Sequence, residues 1–116
     1  MLSSLMLPEY QQFAQLLEQM QAASQQQDVI ELRSRYQKAQ QFFLEQILTL
    51  EPADNYQIRS YQTEIAKELQ LIGMDVRFLQ AAKVPETSAI RQKQLLARLP
   101  TLLKYCNAIL QLTTSL

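Results

Sequence analysis

Large apolar residues return along this chain at alternating steps of three and four, the spacing that keeps side chains on one face of an α-helix, and four such stripes can be drawn. Tyr10, Phe13, Leu17 and Met20 form the first, with Leu16 beside them and glutamines on most of the remaining faces. Pro8 suits its opening turn, because the fixed φ of proline is already helical. Ser24-Gln25-Gln26-Gln27 carries no apolar residue, so the helix is expected to fray there. The second stripe is Val29, Leu32, Tyr36, Ala39, Phe43, Ile47 and Leu50, a helix of about 34 Å that Pro52 ends. Asp28 is its expected cap, with Glu31 three residues on to close a capping box. Ile58, Tyr61, Ile65, Leu69, Ile72, Val76 and Leu79 mark the third helix, capped by Asp54 with Gln57 and ending near Lys83. The fourth follows Val84-Pro85-Glu86, with Thr87 or Ser88 as cap, and carries Leu95, Leu99, Leu102, Cys106 and Ile109.

Two residues interrupt these patterns. Gly73, in the middle of the third helix, costs about 1 kcal/mol relative to alanine, which points to a neighbouring helix crossing closely there. Pro100 removes a backbone hydrogen bond from the fourth helix, so a kink is expected near residues 96 to 100. The connections are short, which predicts an all-α, up-down-up-down four-helix bundle of long antiparallel helices, with residues 1–116 as one domain. A second apolar set lies off the main stripes: Phe42, Leu44 and Leu48 on the second helix, Leu71 and Phe78 on the third. Such residues either complete the core or stand as the apolar centre of an interface.

Composition agrees with helix. Of 116 residues, 47% are apolar, whereas Gly occurs once and Pro four times, too few for a turn-rich β protein. Glutamine supplies roughly one residue in six, spread over helix faces. The formal net charge is zero and the pI about 6.2, which argues against nucleic-acid binding. Charge is uneven all the same: the first half is acidic, while in the second half cations outnumber carboxylates two to one. Attraction between the two halves within the fold is the simplest expectation. No unbroken apolar run is long enough to span a membrane, and Met1 to Leu7 lacks the basic start of a signal peptide. With Cys106 as the single cysteine, the chain reads as cytoplasmic.

The chain contains no histidine, which removes the commonest general base and metal ligand together. One Gly and one Cys cannot build phosphate-cradling loops or paired zinc ligands, so no catalytic residue, metal site or cofactor is assigned. Cys106 falls on the stripe of the fourth helix and reads as a core residue. Asp75 and Arg77 flank the stripe of the third helix, where pairing with neighbouring helices is expected. Arg33, Arg35, Gln37, Lys38 and Gln41 form the one compact set that a helical chorismate-mutase-like enzyme could use, but they spread around their helix instead of converging. Interaction with another protein remains, and its candidate residues are Phe42, Phe78, Arg77, Arg91, Arg98 and Lys104. Arg91, Arg98 and Lys104 are expected to form a basic ridge that docks an acidic partner, unless Glu9 and Glu18 of the first helix neutralise it. A self-associating bundle, with the surplus apolar stripe as a homodimer interface, is the alternative.

Over nearly its full length the chain resembles the cyanobacterial heterocyst frequency control protein PatD family. The likeness is carried by the Tyr10 to Leu17 segment, by Gln40-Gln41-Phe42-Phe43-Leu44-Glu45-Gln46-Ile47, and by Ser60-Tyr61-Gln62-Thr63-Glu64 with Leu69-Gln70-Leu71. Asp75-Val76-Arg77-Phe78-Leu79-Gln80-Ala81-Ala82 and Lys104-Tyr105-Cys106-Asn107-Ala108-Ile109-Leu110 extend it. The resemblance implies a small cytoplasmic helical regulator that contacts the tubulin-like division protein FtsZ, modulates its assembly and affects heterocyst frequency. It transfers no binding residue to this chain.

Overall fold

A computed structural model describes residues 7–49 and 55–114. Among them are four α-helices and no strand: α1 (Leu7–Gln25), α2 (Val29–Phe42), α3 (Tyr56–Ala81) and α4 (Pro85–Thr114). Each predicted stripe lies on the buried side of its helix, with Val29 and Tyr61 only partly buried, while Leu50 lies outside the described residues. Tyr10, Phe13, Leu17 and Met20 of α1 meet Leu32, Ala39, Phe43 and Ile47, then Ile58, Ile65 and Ile72 of α3, and Leu95, Leu99 and Leu102 of α4, in one core. The helices pack in a ring, α1 on α2, α2 on α3, α3 on α4 and α4 on α1. Helix α4 has 30 residues, about 45 Å of rise, and it sets the long axis of a body measuring 50 × 20 × 20 Å.

The helix ends depart from expectation in informative ways. Helix α1 does not fray but closes. Asp28 N donates to Ala23 O (3.2 Å) and Gln27 N to Ser24 O (3.1 Å), with Gln27 in the left-handed region at φ 58°. These are the two bonds of a Schellman cap, formed here on a glutamine where glycine is usual. Asp28 then caps α2 as expected, its Oδ1 accepting from Glu31 N at 3.0 Å. The reciprocal half of the capping box is missing, because the Asp28 N–H is already donated to Ala23 O, and Glu31 pairs with Arg35 at 2.7 Å instead. Helix α3 is capped by Asn55, whose Oδ1 accepts from Ile58 N (3.0 Å), and not with Gln57 three residues after an Asp54 cap. Asp54, like Pro52, lies outside the described residues. Helix α4 begins at Pro85, ahead of Thr87 and Ser88, since proline suits the first helical position and Ser88 N already donates to Val84 O. The helix is assigned without a break through Pro100.

The second helix changes type. After Phe42 it widens into a π-helical turn, Phe43–Ile47, so the uninterrupted α-helix is shorter than the stripe predicts. The spacing of the stripe does not force the change, since Tyr61, Ile65 and Leu69 repeat it in the unbroken α3. Ala39, Phe43 and Ile47 follow two successive steps of four, which in a regular α-helix would turn Ile47 about 80° from Ala39 but only about 20° from Tyr36. Both Phe43 and Ile47 of the wide turn are buried. Thr49 Oγ1 donates to the Glu45 carbonyl at 2.7 Å, so one carbonyl of the wide turn is satisfied by a side chain.

Gly73 is the close crossing that its position predicts. A Cβ there would fall 2.8 Å from Tyr36 Cζ and nearer still to Oη, because the Tyr36 ring of α2 lies against the bare backbone. The Tyr36 hydroxyl donates to the Leu69 carbonyl at 3.1 Å. Burial pushes the pKa of Tyr36 up, against the opposing pull of Arg77. Across the middle of the ring, Gln62 Nε2 of α3 donates to Tyr10 Oη of α1 at 2.8 Å, so the buried amide is partnered.

Candidate interaction surface

One carboxylate organises the α3–α4 side. Asp75 lies about 80° round α3 from the centre of its stripe, on the edge that meets α4, and it is buried with 1% of its surface exposed. An ionised group there needs compensation, and two arginines supply it. Arg98 Nε donates to Asp75 Oδ2 at 2.9 Å and Arg91 to Oδ1 at 3.2 Å. The arginines are seven residues apart on α4, about 20° in angle, so both reach the same side. Glu68, two helical turns before Asp75, stands 3.9 Å from Arg98. The Arg91 guanidinium also lies 4.2 Å from the centre of the Phe78 ring, one turn beyond Asp75 on α3.

The candidate residues therefore separate into three places. Phe78, Arg91 and Arg98 come together around Asp75. Lys104 does not join them, because six residues turn it about 120° from Arg98, and it lines a shallow groove with Gln21, Pro100 and Asn107. The basic ridge is thus two arginines and not three cations, and its counter-charges are Asp75 and Glu68 of α3 instead of Glu9 and Glu18 of α1. Phe42 sits on the far side of the molecule, stacked on Phe13 with ring centres 6.4 Å apart, and belongs to the rim of the core. Arg77 is exposed on the α2 side of α3. The set from α2 is likewise scattered: Arg35 binds Glu31 and Gln19, Lys38 and Gln41 line a groove with Phe42, and Arg33 and Gln37 face solvent.

Surface residues that the stripes did not single out complete the α3–α4 side. Met74 and Ile90 are 53% and 60% exposed, and Phe78 is 37% exposed. On α3, Lys67, Met74 and Phe78 fall within about 40° of one another, opposite the buried face. The signal was present as a second spacing of seven and four, but Met74 and Lys67 read singly as ordinary helix surface. Ion pairing also differs from the simple expectation. Among the described residues every ion pair stays within α2 or between α3 and α4, and none joins the acidic half to the basic half.

Two further groups are chemically quiet. Cys106 is fully buried with Sγ 3.5 Å from the Tyr10 carbonyl, and burial pushes its thiol pKa up to about 12. The same cause raises Tyr10 to about 12. No described helix is long and apolar enough to cross a membrane, and no group of three or more metal-ligating side chains is placed to hold an ion among the described residues. Comparison of the chain with protein-family models, with curated proteins and with solved structures gives no match.

Proposed function

We propose that this chain is a non-enzymatic, cytoplasmic protein-binding regulator that modulates the assembly of the tubulin-like division protein FtsZ. The resemblance to the heterocyst frequency control family supplies the target. One structural observation supports the mode of action: Phe78 is held half-exposed under an arginine that a buried Asp75 fixes in place, with Met74 and Ile90 uncovered in the same region. An aromatic beside a pre-positioned guanidinium, ringed by polar residues, has the make-up of an interface centre, since ordering the arginine in advance lowers the cost of binding. A non-enzymatic role is favoured because the sequence offers no histidine and its one thiol is buried and held protonated.

The reading includes an up-down-up-down arrangement with antiparallel neighbours. It is supported by side-chain pairs whose numbers rise on one helix as they fall on the next: Phe13 with Phe42 and Gln19 with Arg35, Tyr61 with Tyr105 and Asp75 with Arg91, Tyr10 with Cys106 and Ser24 with Gln92. The functional test is polymerisation of purified FtsZ with GTP, followed by light scattering and pelleting. The chain is expected to enter the pellet and to change the scattering plateau. An unchanged plateau with the chain left in the supernatant would remove FtsZ as the target. A tight dimer in light scattering, with Met74, Phe78 and Ile90 protected from solvent, would favour the self-associating alternative.

A further inference from the structure

We infer that the outer side of α3 and α4, centred on Met74, Phe78 and Ile90, docks an acidic amphipathic segment of its partner, in which carboxylates flank a large apolar side chain. The inference rests on the protein-binding reading above but not on the identity of the target. Charge complementarity carries it. Asp75 and Glu68 are consumed by Arg91 and Arg98. That leaves Arg59, Lys67, Arg77, Lys83, Lys93 and Lys104 on this half, all exposed, and only Glu64 and Glu86 to oppose them. None of those six cations has an ion-pair partner among the described residues, and the acidic α1–α2 half neutralises none of them.

Position matters as much as count. Lys67 stands two turns before Met74 on the same face of α3, and Lys93 lies one turn after Ile90, about 60° round α4. Ile90 is next in sequence to the arginine that covers Phe78. The surface therefore has an apolar centre with lysines beyond it on both helices, the layout in which a partner's apolar residue is buried while its carboxylates meet the rim. Arg91 and Arg98 are a third and less exposed and already hydrogen-bonded, so they position the centre and the lysines supply the unspent charge. An anionic membrane would also attract lysines. It is the less suitable occupant, because Phe78 lies under Arg91 and does not project freely.

The test uses the full chain and three probes: a helical peptide with leucines on one face flanked by glutamates, the same peptide with lysine for every glutamate, and vesicles of phosphatidylglycerol and phosphatidylcholine in equal parts. The acidic peptide should bind, with affinity falling as salt rises. Lys67→Glu with Lys93→Glu should weaken it by roughly tenfold or more, and Met74→Ser should weaken it as well, both with an unchanged thermal melt. Leu44→Ser, at the π-helical turn, should leave binding as it was. Equal binding of the lysine peptide, indifference to the double charge reversal, no binding of the acidic peptide, or binding to the vesicles alone would each overturn the inference. Loss of FtsZ binding with peptide binding intact would discard only the proposed target.

Discussion

Replacing Gly73 by alanine sets a local preference against a tertiary contact, and the structure determines which wins. In an isolated helix the substitution would stabilise by about 1 kcal/mol. Here the new methyl would meet the Tyr36 ring at 2.8 Å from Cζ and 3.3 Å from Cε2, with Oη closer still. Tyr36 is 8% exposed and wedged between α2 and α3, so the ring has to shift or the two helices have to part. Overpacking of this kind costs about 1 to 3 kcal/mol. Moving the hydroxyl off the Leu69 carbonyl forfeits about 1 kcal/mol more. The net effect of Gly73→Ala should be a loss of about 1 to 3 kcal/mol, or about 4 to 12 °C in the melting temperature of a chain this size. Circular dichroism during urea and thermal unfolding would measure it. Tyr36→Phe removes the nearest atom, so alanine at position 73 should cost about 1 kcal/mol less in that background. If Gly73→Ala stabilises the protein by its helix propensity alone, with or without the Tyr36 hydroxyl, the close crossing of α2 and α3 is refuted.

Asp75→Ala strands two arginines beside an apolar core, and because both keep some access to water the loss should be about 2 to 4 kcal/mol by urea unfolding. Gln27→Gly puts the permissive residue where the backbone is already left-handed and should raise stability by about 0.5 to 1 kcal/mol in the same assay. Stability should fall at alkaline pH. Cys106 has an ordinary pKa of 9.0 and a folded value of about 12, so above pH 9 the unfolded chain releases a proton that the folded chain retains. The slope should approach about 1.4 kcal/mol per pH unit. Tyr10 adds to it above pH 10, and Cys106→Ala should remove the earlier onset, whatever it does to stability at pH 7. The same thiol should resist a disulfide reagent in the native protein and react once it is unfolded.

The four stripes of the core were legible because burial on a helix leaves a period. Every stripe residue from Tyr10 to Met20, and from Leu95 to Ile109, is buried. The π-helical turn was not legible in the spacing. Ala39, Phe43 and Ile47 follow two steps of four, but so do Tyr61, Ile65 and Leu69, where α3 stays an α-helix. The cap of α3 was read one residue away from where it forms, since Asp54 and Asn55 carry equivalent side-chain oxygens in the sequence. Gly73 announced a close approach without naming Tyr36, because nothing in a single chain says which residue of another helix arrives opposite a gap.

The α3–α4 surface was the least legible part, and the reason is one of pairing. Arg91, Arg98 and Lys104 look alike as charges in a sequence, yet the fold spends the first two on Asp75 and turns the third away. The excess of cations in the second half signals a basic surface only after those pairs are subtracted, and the subtraction requires knowing that Asp75 sits at the α3–α4 seam. Once it is made, the acidic and basic halves no longer serve mainly to hold the bundle together, because no ion pair among the described residues joins them. A chain of zero net charge thereby presents a surface with charge left over beside exposed Met74, Phe78 and Ile90. That combination directs attention to an acidic partner, not to the interior, as the counterpart of the basic half.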